Sequence, residues 1–428
     1  MASTGPAVLR GVPRWLLTLV AIVAFAGVAT WLTHSAWENI TSSRQDVGFQ
    51  TDFRDAVYYP VVALTEGVNP YNPTDYYRTY PVGQEFPLYS PMHLVLHLPL
   101  AAVSLRLARA TYFGLNLALV LVLAGFSLRL ARYRVDPTTV FGLGTLLLLS
   151  GAGRVDLRNG EPTLLIVLAC YLALAARPEQ VGRGAVGVAV ALAKPTFGIP
   201  LALVALCCRR IRATLIGIGA AVAVSIAVVI PLAQSAGGLG PFIDALRDDL
   251  DVTSRSFQSR IGSPLRLDGA NALARATGLR PSEAVAGAFG LALLAVGMVA
   301  IWHLHRRHPD GDRDELMITL SCLVILVPLF RVGYDMLLLS WPILLLARRR
   351  PRDAIWPGRL RILLLVLLLV PVVDPLGWSF VGSILGHGVA SNLLGPTALG
   401  LCLLAAFVIC CLLAFRPVRF RAQAAVAS

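Results

Sequence analysis

Charge is scarce in this sequence, and one charged residue type is almost missing. Of the 428 residues, 14% are charged and 56% are hydrophobic, and Lys194 is the only lysine. Soluble domains carry about 25% charged residues, so this composition excludes an ordinary soluble protein. Several apolar runs approach or exceed the ~20 residues that a bilayer-crossing helix needs. We therefore predict an all-α polytopic protein of the lipid bilayer, with about 10–12 transmembrane helices.

The sequence also lacks the motifs of several enzyme classes. It has no Walker motif, no glycine-rich nucleotide loop and no HExxH motif, which argues against ATP-driven chemistry and zinc hydrolysis. The seven cysteines lie in or beside apolar runs, and none has the spacing of zinc ligands. The net charge of +13 comes from arginines at the ends of apolar runs, a pattern typical of topology signals rather than of nucleic-acid binding. We expect no metal, no cofactor and no nucleic-acid partner.

Ten apolar runs are candidate membrane spans. They lie at roughly 15–33, 108–128, 138–152, 162–176, 213–233, 284–304, 314–330, 333–347, 360–374 and 392–415. If the N-terminus lies inside, the arginine clusters, including the one at 348–350, fall on the inner side, as the positive-inside rule requires. We predict a multi-pass plasma-membrane protein with both termini in the cytoplasm.

A further apolar stretch, 184–207, is interrupted in its middle by Lys194 and Pro195 and has arginines at both ends. Proline ends helices, and irregular backbone at membrane depth survives only in a protein interior or beside a cavity. The pattern favours two short half-helices that meet at Lys194. The alternative is one kinked span with a compensating short span elsewhere.

Two predicted outside loops are long, at about 34–107 and about 234–283, and every predicted inside loop is short. Long loops on a rigid scaffold tend to carry function. The first loop is rich in tyrosines, among them Tyr58, which suit either the headgroup level of a membrane or stacking on a sugar ring. We predict a single domain over 1–428 with an extracytoplasmic active site.

Two acids early in the first loop are candidates for a general base, Asp52 and Asp55. Transfer of a group to a hydroxyl needs a base that takes the acceptor's proton, whereas a phosphate leaving group needs only positive charge nearby. The alternative for Asp52 is a structural role as a helix cap or first-turn acid.

Cations in polar interruptions of the apolar pattern are candidates for binding a phosphate. Lys194 is the strongest, because an ionisable residue at membrane depth is costly and usually functional; snorkelling to the interface is the alternative. The other candidates lie in three short segments, in which arginines stand beside acids and other polar residues. Such segments fit either a substrate site or solvated ion pairs. They are Arg154, Arg158, Asn159 and Glu161; Arg255 and Arg260; and Arg331, Tyr334 and Asp335.

Three segments together resemble glycosyltransferase family 87. The first is TDFRDAVYYPVVALTEGVNPYNP, which resembles the family's first-loop signature. The second is RNGEPTLLIVLACYLAL, which is similar to an Asn-Gly-Gln-x-Asn segment that opens an apolar span. The third is VGVAVALAKPTFGIPLAL, which resembles a segment ending in Lys-Pro. The order and spacing of the three cover most of residues 15–350.

The resemblance implies a polytopic GT-C enzyme whose outside pocket uses a polyprenyl-phosphate sugar as donor. It places the family's catalytic aspartate on Asp52 and its Lys-Pro on Lys194 and Pro195. Glu161 stands where the family usually has glutamine, and Thr163 where it has a second asparagine; these departures bear on substrate identity more than on reaction type. The implied activity is hexosyl transfer, α-1,2-mannosyl first, to a glycolipid or polysaccharide acceptor. Arabinofuranosyl transfer, a lipid-linked-sugar transporter or flippase, and a non-catalytic envelope assembly protein are the alternatives.

Overall fold

A computed structural model describes residues 13–41, 50–87, 89–307, 315–348, 358–375 and 395–416. Within these ranges the regular secondary structure is helical and no strand occurs. The predicted all-α class is therefore confirmed.

The α-helices of the described residues are α1 Arg14–Thr41, α2 Tyr59–Glu66, α3 Pro73–Thr79, α4 Pro91–His97, α5 Leu105–Leu130, α6 Pro137–Leu149, α7 Gly151–Asn159, α8 Thr163–Ala175, α9 Val181–Ala191, α10 Pro195–Cys207, α11 Ile211–Ser235, α12 Leu239–Arg255, α13 Gly269–Thr277, α14 Glu283–Arg307, α15 Glu315–Leu326, α16 Ser340–Ala347, α17 Gly358–Val373 and α18 Gly395–Phe415. A π-helical turn, Phe53–Tyr58, precedes α2, and 3₁₀ segments follow α4 (Leu98–Ala102) and precede α16 (Gly333–Leu339).

Five of these helices are long and apolar enough to cross a bilayer: α1, α5, α11, α14 and α18. The pair α6 and α7 adds a sixth if it is counted as one span bent by 76°. Other predicted spans fall on shorter apolar helices, such as α8 and α15. Every residue of α15 is buried, which is typical of a helix inside a large bundle. Hydropathy predicts α15 as a span because it does not separate burial in protein from burial in lipid.

The long helices expose apolar side chains on their outer faces. On α11, for example, Ile211, Leu215 and Val222 are each at least half exposed. Continuous exposed apolar surface of this kind marks contact with a membrane or another protein. Together with the lengths of the helices, it supports a polytopic membrane protein.

The segment around Lys194 forms two helices, α9 and α10, separated by residues 192–194. Pro195 is the first residue of α10, where its missing N–H leaves no hydrogen bond unmade. α9 approaches α8 closely at Gly187, where a Cβ atom would lie 2.6 Å from the carbonyl oxygen of Ala169. Small residues permit such close contacts between apolar helices. The predicted break is therefore present, and it holds Lys194 inside the bundle.

The polar segment that carries Arg154 and Arg158 forms a helix, α7, which begins at Gly151. Ser150 caps its start by accepting a hydrogen bond from the Gly153 N–H at 3.0 Å. Gly160 ends it in the left-handed conformation, with φ of +70°.

The two long loops pack against each other. We call residues 50–104 the first long loop and residues 236–282 the second long loop. Tyr71 of the first loop meets Phe242 of the second, with ring centroids 6.1 Å apart, and Phe86 packs on Tyr71 at 5.0 Å. Leu232, near the end of α11, belongs to the same buried cluster. This contact fixes the position of the second loop over the first.

Candidate active site

A cavity of about 280 Å³ lies where the two long loops meet the bundle. Its walls come from both long loops, the α7–α8 junction, the α9–α10 break and the segment before α16. The charged side chains that line it are Asp52, Glu85, Glu161, Lys194, Arg266 and Glu283. Convergence of polar groups from distant parts of the chain on one concavity is the usual mark of an active site.

Asp52 lies at the start of the π-helical turn and is 6% exposed. It occupies the capping position but makes no capping hydrogen bond, so the predicted structural alternative does not describe its contacts. The Gln84 side-chain amide donates to its Oδ1 at 2.9 Å. Burial, and then the negative charge of Glu161, raise the pKa of Asp52 well above its ordinary value. A raised pKa suits a general base, which works best when its pKa lies near the operating pH.

Gly160 explains how the α7–α8 junction comes so near Asp52. A Cβ atom on Gly160 would lie 2.6 Å from the Cβ of Phe53, and the residue has a positive φ. Glycine meets both requirements at no steric cost. The Gln50 N–H also donates to the Arg158 carbonyl at 2.7 Å. These contacts place Asn159, which hydrogen-bonds Asp52, beside the carboxylate.

Glu161 is 3% exposed and is held by two tyrosines. Tyr89 donates to its Oε2 and Tyr334 to its Oε1, each at 2.8 Å. Lys194 lies 3.9 Å from Oε2. A carboxylate with this many partners has its orientation fixed, so Glu161 forms a rigid wall between Asp52 and Lys194.

Lys194 precedes the first residue of α10 and is 6% exposed. Its Nζ lies 2.9 Å from Asp335 Oδ1 and 4.9 Å from the centroid of the Tyr334 ring. Asp335 is fixed in turn, because its Oδ2 accepts the Val332 N–H at 3.1 Å. The lysine therefore pairs with buried acids and lines the cavity; it does not snorkel to a surface.

The start of α10 faces the cavity through Pro195 and Thr196. The Oγ1 atom of Thr196 is buried and has no hydrogen-bond partner within the described residues. The N-terminus of a helix carries partial positive charge and favours anions. Thr196, Lys194 and this helix end together form an arrangement that fits a phosphate group.

Asp55, the second candidate base, has a different environment. Arg54 binds both of its oxygens, at 2.5 and 3.0 Å, and the Gly83 N–H donates to Oδ2 at 2.9 Å. Its carboxylate is thus committed to an ion pair that fixes the neighbouring turn, and Asp55 does not line the cavity.

Arg331 is completely buried and is surrounded by backbone carbonyls. It donates to the carbonyls of Phe330, Thr196 and Ile325, and its guanidinium lies 4.2 Å from the centroid of the Phe197 ring. These contacts tie α10 to the end of α15. The structure therefore places Arg331 behind the cavity wall, where it supports the start of α10.

The remaining predicted residues lie away from the cavity lining. Tyr58 donates to the Val103 carbonyl at 2.9 Å. Arg255 pairs with Asp251 at 2.7 Å on the exposed face of α12. Besides Asp55 and Arg331, the predicted side chains outside the cavity lining are Tyr58, Arg154, Arg158, Arg255 and Arg260. Asn159 and Asp335 are also outside the lining, but they contact the lining residues Asp52 and Lys194.

Most of the lining residues were not predicted from the sequence, among them Gln84, Tyr89 and Arg266. Arg266 donates to the Ser259 carbonyl at 2.6 Å and also binds Asp268. Gln84 and Arg266 lie in irregular segments that show no periodicity. Tyr89 was included among the loop tyrosines but not singled out.

A second cavity, of about 510 Å³, adjoins the first. Tyr89 and Pro195 line both. Apart from Ser90 and Ser225, its lining is apolar or aromatic. Most of it comes from α10, α11 and α12, and it includes Ile199, Ile226 and Phe242. The cavity with the charged side chains thus lies beside an apolar one, an arrangement that can accommodate a substrate with a polar and an apolar part.

A polytopic helical protein in which charged side chains from distant segments converge on one cavity has the features of a membrane enzyme. The family model of glycosyltransferase family 87 matches residues 88–331, more than half of the chain. The chain belongs to this family and is a membrane glycosyltransferase. The match includes Glu161 and Lys194, whereas Asp52 lies before it. No curated protein and no solved structure shows significant similarity to the chain.

Proposed function

We propose that this enzyme transfers a hexosyl group, an α-1,2-linked mannosyl group first among the candidates, from a polyprenyl-phosphate sugar to a lipid-linked or glycan acceptor. The observation that carries the proposal is the junction of the two cavities at Tyr89 and Pro195. On one side lie Asp52 and Lys194, which suit the acceptor hydroxyl and the phosphate. On the other lies an apolar space that suits an isoprenoid chain.

Asp52 acts as the general base in this proposal. Its carboxylate takes the proton of the acceptor hydroxyl as the hydroxyl oxygen attacks the anomeric carbon. The bond between that carbon and the phosphate oxygen breaks, and the electron pair leaves with the polyprenyl phosphate. Attack from the face opposite the phosphate inverts the anomeric centre, so a β-linked donor gives an α-linked product.

Lys194 and Thr196 hold the phosphate. Both line the cavity at the start of α10, and the unpartnered Thr196 hydroxyl can donate to a phosphate oxygen. Positive charge at the leaving group stabilises the transition state without a proton transfer. Asp335 orients the lysine through the contact at 2.9 Å.

The whole chain acts as one catalytic unit, because the proposed site draws on residues from Asp52 to Asp335. The positive-inside pattern supports cytoplasmic termini and an extracytoplasmic site. Attachment of a membrane-impermeant thiol reagent to an introduced cysteine at Gln84 in intact cells tests this orientation. Labelling from the cytoplasmic side alone contradicts it.

The lipid-donor proposal is tested with purified enzyme, a radiolabelled polyprenyl-phosphomannose and a glycolipid acceptor. We expect label in the acceptor, and none from a nucleotide-activated mannose. A polyprenyl-phosphoarabinofuranose arm distinguishes the two sugars, and liposomes that lack an acceptor detect transport. Movement of the donor across the liposome membrane, together with no label in the acceptor in the first assay, overturns the proposal.

The apolar cavity allows a sharper test with a matched pair on α11. Ile226 lines the cavity, whereas Ile230, one turn further on and equally exposed, does not. Ile226→Trp fills the cavity and should raise the KM for a long-chain donor, with a smaller effect on a donor truncated to a short isoprenoid. Ile230→Trp should leave both values unchanged. Equal effects of the two substitutions contradict a lipid-binding role.

A further inference from the structure

Two glutamines connect the second long loop to Asp52, the proposed base in the first long loop. Gln258, in the second long loop, donates from Nε2 to Gln84 Oε1 at 2.9 Å. Gln84, in the first, donates from its own Nε2 to Asp52 Oδ1 at 2.9 Å. All three residues line the cavity. The chain of hydrogen bonds therefore runs across the cavity mouth and ends on the proposed base.

The backbone on each side of this chain is held by an arginine–aspartate pair. On one side Asp55, bound by Arg54, accepts the N–H of Gly83, the residue before Gln84. On the other, Arg266 binds Asp268 and donates to the carbonyl of Ser259, the residue after Gln258. Two separately fixed turns thus present the glutamines to each other, which is not expected of a chance contact between exposed loops.

We propose that Gln84 is a positioning residue for Asp52, and that Gln258 fixes the orientation of the Gln84 amide from across the cavity mouth. This inference rests on the proposed role of Asp52 as the base. It also assigns a role to the second long loop. Among the contacts described above, this loop is connected to Asp52 through Gln258 and Gln84.

The polarity of the chain follows from the chemistry of its members. An ionised carboxylate only accepts hydrogen bonds, whereas an amide has a donor end and an acceptor end. The NH₂ group of Gln84 therefore faces ionised Asp52, and its oxygen faces Gln258. In this structure Gln258 presents its NH₂ group to Gln84. In that orientation it opposes the reversed Gln84 amide, whose oxygen would face a protonated Asp52. The contact from the second loop accordingly favours the ionised, proton-accepting form of the base.

The electrostatic surroundings of Asp52 agree with this direction. Burial and Glu161 raise its pKa, whereas the Gln84 hydrogen bond lowers it. The other titratable groups that face Asp52 are Asp156 on α7, Tyr89 in the first long loop and Tyr334 before α16. Apart from Lys194 on the cavity wall, these neighbours are acids or phenols, so Gln84 supplies one of the few contacts that favour the carboxylate.

The test is a set of variants assayed for glycosyl transfer over a range of pH. Gln84→Leu should lower kcat about tenfold or more, as expected when a charged group loses a hydrogen bond, and should move the acidic limb of the pH profile to higher pH. Gln84→Glu, which keeps the size of the side chain but adds negative charge, should move it further in the same direction. The KM for the donor should change less than about twofold, since a hydrogen bond to the base adds little to donor binding.

Gln258→Leu separates the relay from a local effect at Gln84. Alone it should shift the acidic limb in the same direction by a smaller amount, and in a Gln84→Leu background it should have no further effect, because residues that act through one contact are not additive. Gln234→Leu is the matched control, since Gln234 is an exposed glutamine at the end of α11, away from the cavity lining. An unmoved acidic limb in both Gln84 variants, or equal effects of Gln258→Leu in the two backgrounds, overturns the proposal.

Failure of the proposed function is seen separately, in the wild-type enzyme. If the wild type transfers no sugar from any donor, the proposed function fails, and the relay is judged by thermal unfolding of the same variants in detergent. A loss of stability shared by the Gln84 and Gln258 substitutions, but not summed in the double variant, supports the relay. Additive losses overturn it.

Discussion

Gly160 offers a quantitative test of how the site is assembled. Gly160→Ala adds a Cβ atom 2.6 Å from the Phe53 Cβ, at a residue with φ of +70°. The left-handed conformation costs alanine roughly 1–2 kcal/mol, and the steric overlap adds about 1–3 kcal/mol. Phe53 follows Asp52 directly, so relief of the overlap also moves the base. A displacement near 1 Å at a reacting group can reduce the rate about 100-fold.

Gly67→Ala is the matched control for this prediction. Gly67 has nearly the same φ, +74°, but no atom lies within 4 Å of the added methyl group. The control therefore carries the conformational cost without the overlap. Thermal unfolding in detergent and initial rates of sugar transfer measure the two effects. We expect Gly160→Ala to lose more stability than Gly67→Ala and to lose most of its activity, while Gly67→Ala stays active. Similar behaviour of the two variants refutes the reasoning.

Three further predictions concern buried charge. Burial raises the pKa of Asp249 from 3.8 to about 8. Between about pH 4 and 8 the folded state therefore keeps a proton that the unfolded chain has released. The stability of the wild type falls as the pH rises through this range. Asp249→Asn, which stays neutral, should therefore be more stable than wild type at pH 8–9, by at most ~6 kcal/mol, and should unfold at a higher temperature. Near pH 4 it should show no such gain, and an equal gain at both pH values contradicts this prediction. Glu161→Gln removes a charge that raises the pKa of Asp52, so the acidic limb of the activity profile should move to lower pH, and a shift upward contradicts it. Lys194→Met leaves Asp335 buried without its cation and should cost about 3–5 kcal/mol, part of which Asp335→Asn should restore in thermal unfolding of the double variant.

The architecture around Lys194 was predictable because its signals are local. A lysine and a proline inside an apolar stretch break a helix at that point, and the structure has α9 and α10 on either side. The charged turn near Glu161 also stood out against its apolar surroundings. Which acid would face the lysine did not follow from the sequence, because Asp335 is 141 positions away along the chain.

The arginines show where sequence reasoning ends. Arg255 and Arg331 both look like cations available to a phosphate. The first pairs with Asp251 on an exposed helix face, and the second is enclosed by carbonyls from α10 and α15. These partners arise only from tertiary packing. Arg266 reaches the cavity through contacts of the same kind, and its sequence neighbours give no sign of it.

Hydropathy alone also does not separate long spans from short apolar helices. α8 and α15 have the apolar composition of membrane spans but only 13 and 12 residues. At 1.5 Å per residue each is about 20 Å long, short of the ~30 Å hydrocarbon core. Their apolar residues pack within the bundle, where they support the walls of the cavity.

The account rests on Asp52 as the base, and one measurement tests it most directly. Initial rates of transfer from a radiolabelled polyprenyl-phosphate sugar are compared for wild type, Asp52→Asn and the control Asp244→Asn, which changes an exposed carboxylate on α12. Loss of a general base typically costs 10²–10⁴-fold, so Asp52→Asn should transfer roughly 1% or less of the wild-type label while Asp244→Asn remains active. An Asp52→Asn enzyme that works at the wild-type rate contradicts the account.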